Sequence, residues 1–363
     1  MIVIDALALG VALLVFAFFH HVKSAYFDEI EAVALPTAAV TATESPDADT
    51  DQTQTVETTT EKTEDATGDA QSADADNQTA ETGDTAEPTP PSTEPEPTPE
   101  PTGLLKGKYA DKFSTTLVST DTVYQSENVY AELQTVEQYD SVIHIIDIYM
   151  QDISSFRTYI PREGAKKSKT LMPIEANEEL GGVIAVTSGD QFYGHSVMGY
   201  IVRNGKLYSS KKDTSAEVLV VYNDGTMATF SAKDFDPDTE VAKGVYQVFS
   251  FGPALLEDGQ IRTKFNSSKI AGNNPRMAIG YYEPGHYCLV EVDGARNSDN
   301  DKSKGVTLEQ LSELFYNLGC KVAYNLDGGG TAGMVFNGQK VCKPGRRGTD
   351  LIYICEPTTE TEA

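Results

Sequence analysis

The sequence predicts a mixed α+β fold, in which one strand-rich domain with a few helices occupies residues 104–363. Short apolar runs broken by Gly, Asn and Asp fill this part of the chain, as is typical of strands joined by tight turns. The clearest helix signal lies at residues 307–319, where helical spacing is combined with signals for both ends. Before residue 104 there is one long apolar run and then no apolar periodicity, so we expect a transmembrane helix followed by a disordered stalk.

The N-terminal run, residues 1–19, is apolar apart from Asp5 and is about as long as a helix must be to cross a bilayer. We expect residues 1–23 to be an uncleaved signal anchor, a single-pass segment of the cell membrane with the rest of the chain on the extracytoplasmic side. A cleaved signal peptide is the alternative, but residues 23–26 offer a poor cleavage site.

Residues 24–103 are predicted to form an acidic stalk rich in Thr, Pro and Glu. Residues 44–100 hold 17 Asp or Glu and one Lys, and no apolar pattern offsets the chain entropy lost on folding. Such stalks space a surface domain away from a membrane or wall, and a disordered tail with no task is the alternative. Because this segment carries −16 of the net charge of −27, the folded part is only mildly acidic. It has no basic stripe, which argues against a nucleic-acid partner.

The folded part contains ten runs with the composition of strands, at residues 142–149, 182–187, 198–202, 217–222, 226–230, 277–282, 287–292, 322–326, 334–336 and 351–354. Hairpin turns are expected at the Asn-Gly or Asp-Gly pairs 204–205, 224–225 and 337–338. In the predicted helix, Thr307 and Gln310 form a capping box, and Gly319 ends the last turn.

A strand that ends in Asn325-Leu-Asp327 and is followed by three glycines carries the densest chemical signal. Because side chains alternate along a strand, Asn325 and Asp327 share one face. Gly328, Gly329 and Gly330 let the backbone bend sharply and bring N–H groups close to a ligand. A carboxylate beside such a loop suits a polar or anionic substrate. An ordinary turn with a capping Asp is the alternative.

Other predicted strand ends also carry acids and arginines. Ser188-Gly-Asp190 follows one strand, Asn274-Pro-Arg276 precedes another, and Asp293-Gly-Ala-Arg296 ends a third. An arginine offers a bidentate fork for phosphate or carboxylate. Strand ends are where a rigid scaffold presents functional loops, so these segments together predict a site.

Cofactor and metal signals are weak in this sequence. No phosphate-binding loop, dinucleotide fingerprint or nucleophile elbow occurs, and we expect no cofactor. His144, His195 and His286 are scattered without metal-ligand spacing, which predicts a structural role for His144, whereas His195 follows the Ser-Gly-Asp loop and could line a pocket. No metal site is therefore predicted; a structural calcium ion is conceivable, but no dense Asp spacing indicates one.

The four cysteines all lie in the last 80 residues, at Cys288, Cys320, Cys342 and Cys355. Outside the cell they could form up to two disulfides, with three connectivities. A domain of this size can also build its own core without disulfides, so buried free thiols are the favoured interpretation.

The motifs together resemble the phosphodiester glycosidase family, in its bacterial branch related to exopolysaccharides. The resemblance covers residues 120–357 and is carried by residues 249–253, 274–280, 292–294, 307–320 and 325–338. Two departures are present: Ser188 stands where the family usually has Asn, and Ala332 where it usually has a second hydroxyl residue. These put substrate preference in question more than the fold.

The resemblance implies hydrolysis of a sugar C1–O bond with a phosphodiester-linked leaving group, of the N-acetylglucosamine-1-phosphate type. For this reaction we hypothesise that Asp327 is the base or nucleophile at the anomeric centre and that Arg276 with Arg296 binds the phosphate oxygens. Asp190 and Asp293 would be the second acid–base group or sugar ligands. The remaining substrate-binding residues would be Asn325, Gly328, Gly329, Gly330, Thr331, Asn274 and Ser188.

Two other functions are weighed against this one. The domain could cleave ordinary glycosidic bonds of wall glycan or exopolysaccharide, or it could be a non-catalytic polysaccharide-binding module. Binding modules often use exposed aromatic platforms, and the chain has no Trp but 18 Tyr. Acids clustered with arginines favour catalysis. The expected partners are a carbohydrate or glycophosphodiester substrate and the membrane, and the oligomeric state is left open.

Overall fold

The computed structural model describes residues 33–35, 102–163, 167–190, 199–211, 216–265, 270–295 and 303–357. The predicted anchor, residues 1–23, and nearly all of the predicted stalk lie outside the described residues, as do His195 and Arg296. Among the described residues, no helix is both long enough and apolar enough to cross a membrane. One short piece of the predicted stalk, Val33–Ala34, forms a strand.

Strands dominate the described residues, as the sequence predicts. The first eleven are β1 (Val33–Ala34), β2 (Val118–Ser119), β3 (Val123–Gln125), β4 (Val129–Gln138), β5 (Ser141–Met150), β6 (Phe156–Tyr159), β7 (Arg162–Glu163), β8 (Lys167–Ser168), β9 (Ala185–Ser188), β10 (Tyr200–Arg203) and β11 (Lys206–Ser210). The others are β12 (Val218–Tyr222), β13 (Met227–Phe230), β14 (Val245–Phe249), β15 (Ala254–Glu257), β16 (Gln260–Ile261), β17 (Arg276–Glu283), β18 (His286–Val292), β19 (Val322–Asn325), β20 (Met334–Phe336), β21 (Gln339–Cys342) and β22 (Leu351–Ile354).

The helices are few and short. The described α-helices are α1 (Pro173–Glu179), α2 (Pro237–Ala242) and α3 (Leu308–Leu318). α3 begins and ends where the sequence predicts: Thr307 and Gln310 form the capping box, and Gly319 takes the left-handed conformation at a φ of 85°. The expectation of a strand-rich mixed fold with a few helices is confirmed.

The strands form three larger antiparallel sheets and one small two-stranded sheet, β7-β8. The largest has nine strands in the order β16-β15-β19-β17-β18-β5-β4-β3-β2. A five-stranded sheet has the order β21-β20-β9-β22-β6, and a six-stranded sheet has the order β1-β11-β10-β14-β12-β13. The three Asn-Gly or Asp-Gly pairs that predict hairpin turns lie at such turns, between β10 and β11, β12 and β13, and β20 and β21.

The main core lies between the nine-stranded and five-stranded sheets. Side chains such as Met277 and Leu289 from the first sheet and Met334 and Ile352 from the second form one fully buried apolar cluster. The opposite face of the nine-stranded sheet is covered by α3, whose Phe315 packs in a second cluster. With apolar groups on both faces, the central strands are held rigidly, and their ends can position polar side chains.

Candidate active site

Two strand ends from different sheets meet at the candidate site. β9 ends at Ser188 in the five-stranded sheet, and β19 ends at Asn325 in the nine-stranded sheet. The backbone N–H of Asp327 donates to the carbonyl of Gly189 at 2.9 Å, and the hydroxyl of Ser188 donates to the carbonyl of Asp327 at 2.9 Å. The fold therefore brings Ser188 and Asp327 into direct contact.

The glycines after Asp327 lie against the segment that carries Pro275. A Cβ atom on Gly328 would lie 2.7 Å from the carbonyl oxygen of Pro275, so no side chain fits there without a backbone shift. Gly329, at a φ of 61°, donates its N–H to the same oxygen at 2.8 Å. This close approach, which only glycine permits, fixes the loop beside Asp327.

Arg346 supplies a cation next to this carboxylate. Its Nη2 atom lies 3.4 Å from Oδ2 of Asp327, and its Nε donates to the hydroxyl oxygen of Thr331 at 2.9 Å. Its backbone N–H donates to the carbonyl of Gly330 at 2.7 Å. The side chain of Arg346 is 53% exposed, whereas that of Asp327 is 8% exposed. A buried carboxylate thus faces an accessible guanidinium, an arrangement that can receive an anionic ligand.

The environment of Asp327 changes its protonation. Burial raises the pKa of Asp327 to about 6, and the nearby Asp190 adds to the rise, while Thr331 and Arg346 oppose it. A carboxyl group with a pKa near the working pH can both release and accept a proton, which is what acid–base catalysis requires.

Asp190 belongs to a buried charge cluster with Arg203 and Asp350. Nη2 of Arg203 lies 2.5 Å from Oδ1 of Asp190 and 3.2 Å from Oδ2 of Asp350, and the three side chains are at most 1% exposed. Burial lowers the pKa of Arg203, but the two carboxyls outweigh that effect and raise it. Burial and the adjacent Asp190 raise the pKa of Asp350, so Asp350 binds a proton more readily than an exposed Asp.

Both carboxylate oxygens of Asp190 have protein donors. Oδ1 pairs with Arg203, and Oδ2 accepts from the backbone N–H of Ser250 at 2.8 Å. Gly189 leaves room for this cluster, because a Cβ there would collide with the carboxyl of Asp350. The predicted acid–base or sugar-binding role of Asp190 stays a prediction, and the geometry favours a supporting role behind Asp327.

Arg276 is bound by the backbone around it. Its Nε donates to the carbonyl of Val306 at 2.9 Å, and its Nη2 donates to the carbonyls of Ile270 and Gly272. Burial lowers the pKa of Arg276 to about 10, and the charge of Glu309 opposes the drop. These bonds stabilise the segment on which the glycine loop rests. The predicted phosphate contact of Arg276 stays a prediction, and Arg346 is the better placed cation.

Asn325 and Asn274, whose side-chain amides were predicted to bind substrate, form hydrogen bonds to neighbouring loops. Nδ2 of Asn325 donates to the carbonyl of Gly252 at 2.8 Å, and Nδ2 of Asn274 donates to the carbonyl of Gly272 at 3.0 Å. The amide oxygen of Asn325 is buried and has no hydrogen-bond partner among the described residues. Arg296, the second predicted phosphate ligand, lies outside the described residues.

Asp293 lies in a second polar cluster, with Glu291 and His144. One potential ligand atom from each residue lies within 4.8 Å of those of the other two, and all three residues are buried. Burial lowers the pKa of His144, and Asp293 opposes that change. The structure places His144 next to two carboxylates, Glu291 and Asp293. The spacing of these residues in the sequence did not predict that contact.

All four cysteines are free in the structure. Cys288 and Cys320 are buried in the cluster beneath α3, with their Sγ atoms 3.8 Å apart. Cys342 and Cys355 are partly buried. None of them lies at the Asp327 site.

Three residues of this region were missed by the sequence analysis. Arg203 ends β10, Arg346 lies in the Pro-Gly-Arg-Arg-Gly loop before β22, and Asp350 directly precedes β22. The loop with Arg346 has the same combination of glycine and arginine near a strand end that singled out the other segments. Arg203 also ends a strand near a glycine, Gly205, but its pairing with Asp350 depends on contacts between different sheets, which the sequence does not show.

Residues 181–354, which contain Asp327, Arg346 and the cluster of Asp190, Arg203 and Asp350, match the family model described as phosphodiester glycosidase. This part of the chain is similar to the phosphodiester glycosidase family. The resemblance predicted from the motifs is thereby confirmed.

Related proteins agree with that assignment. The SPbeta prophage-derived uncharacterized protein YomE of Bacillus subtilis (strain 168) is 30% identical over 190 residues, which are 50% of this chain and 29% of that protein. The N-acetylglucosamine-1-phosphodiester alpha-N-acetylglucosaminidase of Bos taurus is 24% identical over 213 residues, 54% of this chain and 40% of that protein. The chain thus spans well under two thirds of the length of these curated relatives.

One of the solved structures aligns with part of this chain. The zebrafish N-acetylglucosamine-1-phosphodiester alpha-N-acetylglucosaminidase catalytic domain, auto-inhibited by its pro-peptide, covers 66% of this chain with 87% of its own length, at 18% identity and a TM-score of 0.49.

Proposed function

We propose that this phosphodiester glycosidase domain hydrolyses a sugar-1-phosphodiester of the N-acetylglucosamine-1-phosphate type in cell-surface or extracellular glycan. The observation that carries the proposal is the contact between buried Asp327 and exposed Arg346, at 3.4 Å. A sugar phosphodiester has a reacting carbon and an anionic group a few ångströms apart, and these two side chains offer a complementary group to each.

In the reaction, the C1–O bond of the sugar breaks and its electron pair goes to the phosphate oxygen. The leaving group is then a phosphate monoester, and a water oxygen bonds to C1. The transition state has oxocarbenium character, which a nearby carboxylate stabilises. Asp327 is that carboxylate, as the base that takes the proton from water or as the nucleophile that first bonds to C1.

Arg346 acts on the other side of the breaking bond. Negative charge grows on the phosphate as C1–O cleavage proceeds, and a guanidinium at that position lowers the barrier. A phosphate leaves without needing much protonation, so one of the two carboxyl groups of ordinary glycosidases is dispensable. We therefore assign to Arg346 the phosphate role that the sequence analysis gave to Arg276, whose guanidinium is held by backbone carbonyls.

The setting of the activity is part of the same proposal. An anchor at residues 1–23 and an acidic stalk would hold the domain at the outer face of the cell membrane, and their composition supports this. The substrate would then be a carbohydrate or glycophosphodiester of the cell surface. The proposed hydrolysis uses side chains alone and needs no cofactor.

The test is a release assay with the purified full chain and two matched substrates. One is the methyl phosphodiester of N-acetylglucosamine-1-phosphate, and the other is methyl N-acetylglucosaminide of the same anomeric configuration, which lacks the phosphate. The proposal expects free N-acetylglucosamine from the first only. Release from the second at an equal rate would indicate an ordinary glycosidase. Saturable binding of either sugar without release would indicate a binding module.

A further inference from the structure

The cluster of His144, Glu291 and Asp293 follows directly from strand register. His144 on β5 is the cross-strand partner of Glu291 on β18. Asp293 follows Glu291 by two residues, so its side chain leaves the sheet on the same face. The three side chains therefore converge, with one potential ligand atom of each within 4.8 Å of the other two.

The ring of His144 is oriented by a neighbour on β4. Its Nδ1 atom is 2.9 Å from the hydroxyl oxygen of Thr135, its cross-strand partner on that side. This bond leaves Nε2 directed at Asp293, where the Nε2–Oδ2 distance is 4.0 Å. A histidine that binds a metal with one ring nitrogen has the other held by a hydrogen bond in this way.

The ligand atoms lie slightly farther apart than they would around a bound ion. A gap of 4.0 Å is too long for a hydrogen bond between Nε2 of His144 and Oδ2 of Asp293. Zinc bonds to nitrogen and oxygen ligands are about 2.0–2.2 Å long and at the tetrahedral angle hold two ligand atoms about 3.4 Å apart, so a bound ion would draw these two side chains together by about half an ångström.

We propose that His144, Glu291 and Asp293 bind one divalent transition-metal ion of the Zn²⁺ type. Imidazole with carboxylates is a donor set suited to zinc and its neighbours in the first transition row, whereas Ca²⁺ takes six to eight oxygen ligands. The sequence does not predict this site, because His144 lies 147 residues before Glu291, and Glu291 lies 2 residues before Asp293. Only the pairing of β5 with β18 brings the three residues together.

Thr135 is exposed while the three ligands are buried, so the β4 side is the edge of the cluster next to solvent. The proposal is independent of the phosphodiester glycosidase activity: it concerns metal binding, and either claim can fail without the other.

The experiment titrates Zn²⁺ alone into the full chain after removal of metals with a chelator. We expect one Zn²⁺ per chain by elemental analysis and calorimetry. At a hundredfold excess over Kd, the Tm rises by roughly 5–10 °C. In Glu291→Gln and Asp293→Asn, affinity falls at least roughly tenfold, as expected when a ligand is lost. Ca²⁺ at the same concentration leaves the Tm unchanged.

Two further variants keep the test decisive. Thr135→Val removes only the bond that orients His144, and because Thr135 is exposed this variant should fold. Its Zn²⁺ affinity is expected to fall by roughly 10- to 100-fold. Glu137→Gln, two residues along the same strand and also exposed, is the matched control and keeps wild-type affinity.

Free cysteines also bind Zn²⁺, so the variants distinguish the site from them. Zn²⁺ binding that is equal in the wild type, Glu291→Gln and Thr135→Val would overturn the proposal. The absence of any stoichiometric binding, or binding of Ca²⁺ in place of Zn²⁺, would overturn it as well. Circular dichroism of the metal-free variants shows which of them are folded, and Thr135→Val remains informative if Glu291→Gln is not.

Discussion

Arg346 and Asp327 face each other across the glycine loop, with Nη2 of the arginine 3.4 Å from Oδ2 of the aspartate. They are 19 residues apart in the chain and come from different loops. Thr331 connects them further, because its hydroxyl oxygen accepts from Nε of Arg346. The pair joins a buried acid to an accessible cation, and the proposed chemistry depends on both.

Replacing Arg346 with Ala is expected to weaken action on a phosphodiester. A charged hydrogen bond to phosphate contributes about 1.5–3 kcal/mol, so kcat/KM should fall roughly 10- to 100-fold. Arg347→Ala is the matched control, because Arg347 is directed at Glu175 and the carbonyl of Thr170 and should leave kcat/KM near the wild-type value. Equal losses in the two variants would mean that Arg346 is not the phosphate ligand.

The raised pKa of Asp327 predicts a specific dependence of stability on pH. The folded state keeps the proton up to about pH 6, whereas an exposed Asp loses it near 3.8, so the folded state binds more protons between these values. Stability therefore falls as pH rises through this window, by roughly 3 kcal/mol in total from this one group.

Urea unfolding of the wild type and Asp327→Asn at pH 4 and pH 8 measures this contribution. Asp327→Asn has no carboxyl group that titrates at this position. Its free energy of unfolding should therefore rise relative to that of the wild type between pH 4 and pH 8. Asp350 and the other titrating groups affect both proteins alike and cancel in the difference. A stability difference that is the same at both pH values would show that the pKa of Asp327 is not raised by folding.

The charge cluster predicts a large effect for Arg203→Met. The substitution keeps side-chain volume but leaves Asp190 and Asp350 without their buried cation. Breaking a buried pair in this way costs about 3–5 kcal/mol. Asp350→Asn should cost less, about 1 kcal/mol, because the pKa of Asp350 is raised and its proton already makes it resemble an amide.

Denaturant unfolding at neutral pH compares these two variants directly. If Asp350→Asn destabilised the chain as much as Arg203→Met, then Asp350 would be ionised in the folded state and the arrangement of charges would differ from the one described. The same variants also test whether this cluster supports Asp327, since its loss should lower activity through a misplaced glycine loop.

The sequence predicted the elements that depend on neighbouring residues alone, such as helix caps, hairpin turns and short apolar strands. α3 begins at its capping box and ends at Gly319 as expected, and the three hairpin turns lie at their Asn-Gly or Asp-Gly pairs. β20 and β22 have the predicted bounds, because a short apolar run between turn residues leaves little freedom. The ten-residue strand β4 was missed, since its second half is exposed and polar.

The candidate site was predicted only in part, for a physical reason. The alternation of side chains along one strand is visible in the sequence, so Asn325, Asp327 and their glycines were found. Which strands are neighbours is not visible, because register is set by packing between distant segments. Consequently the partners of Asp327 and Asp190, which are Arg346 and Arg203, were missed, and Arg276 was assigned a role that its carbonyl contacts do not favour.

The most direct test of the account is the rate at which Asp327→Asn releases N-acetylglucosamine from its methyl 1-phosphodiester. Asparagine keeps the size and the hydrogen-bonding capacity of the side chain but can neither carry the charge nor take a proton. The account predicts that kcat falls by at least roughly 100-fold, with the protein folded and the substrate still bound. Turnover at the wild-type rate would contradict the central claim that Asp327 is the reacting carboxylate.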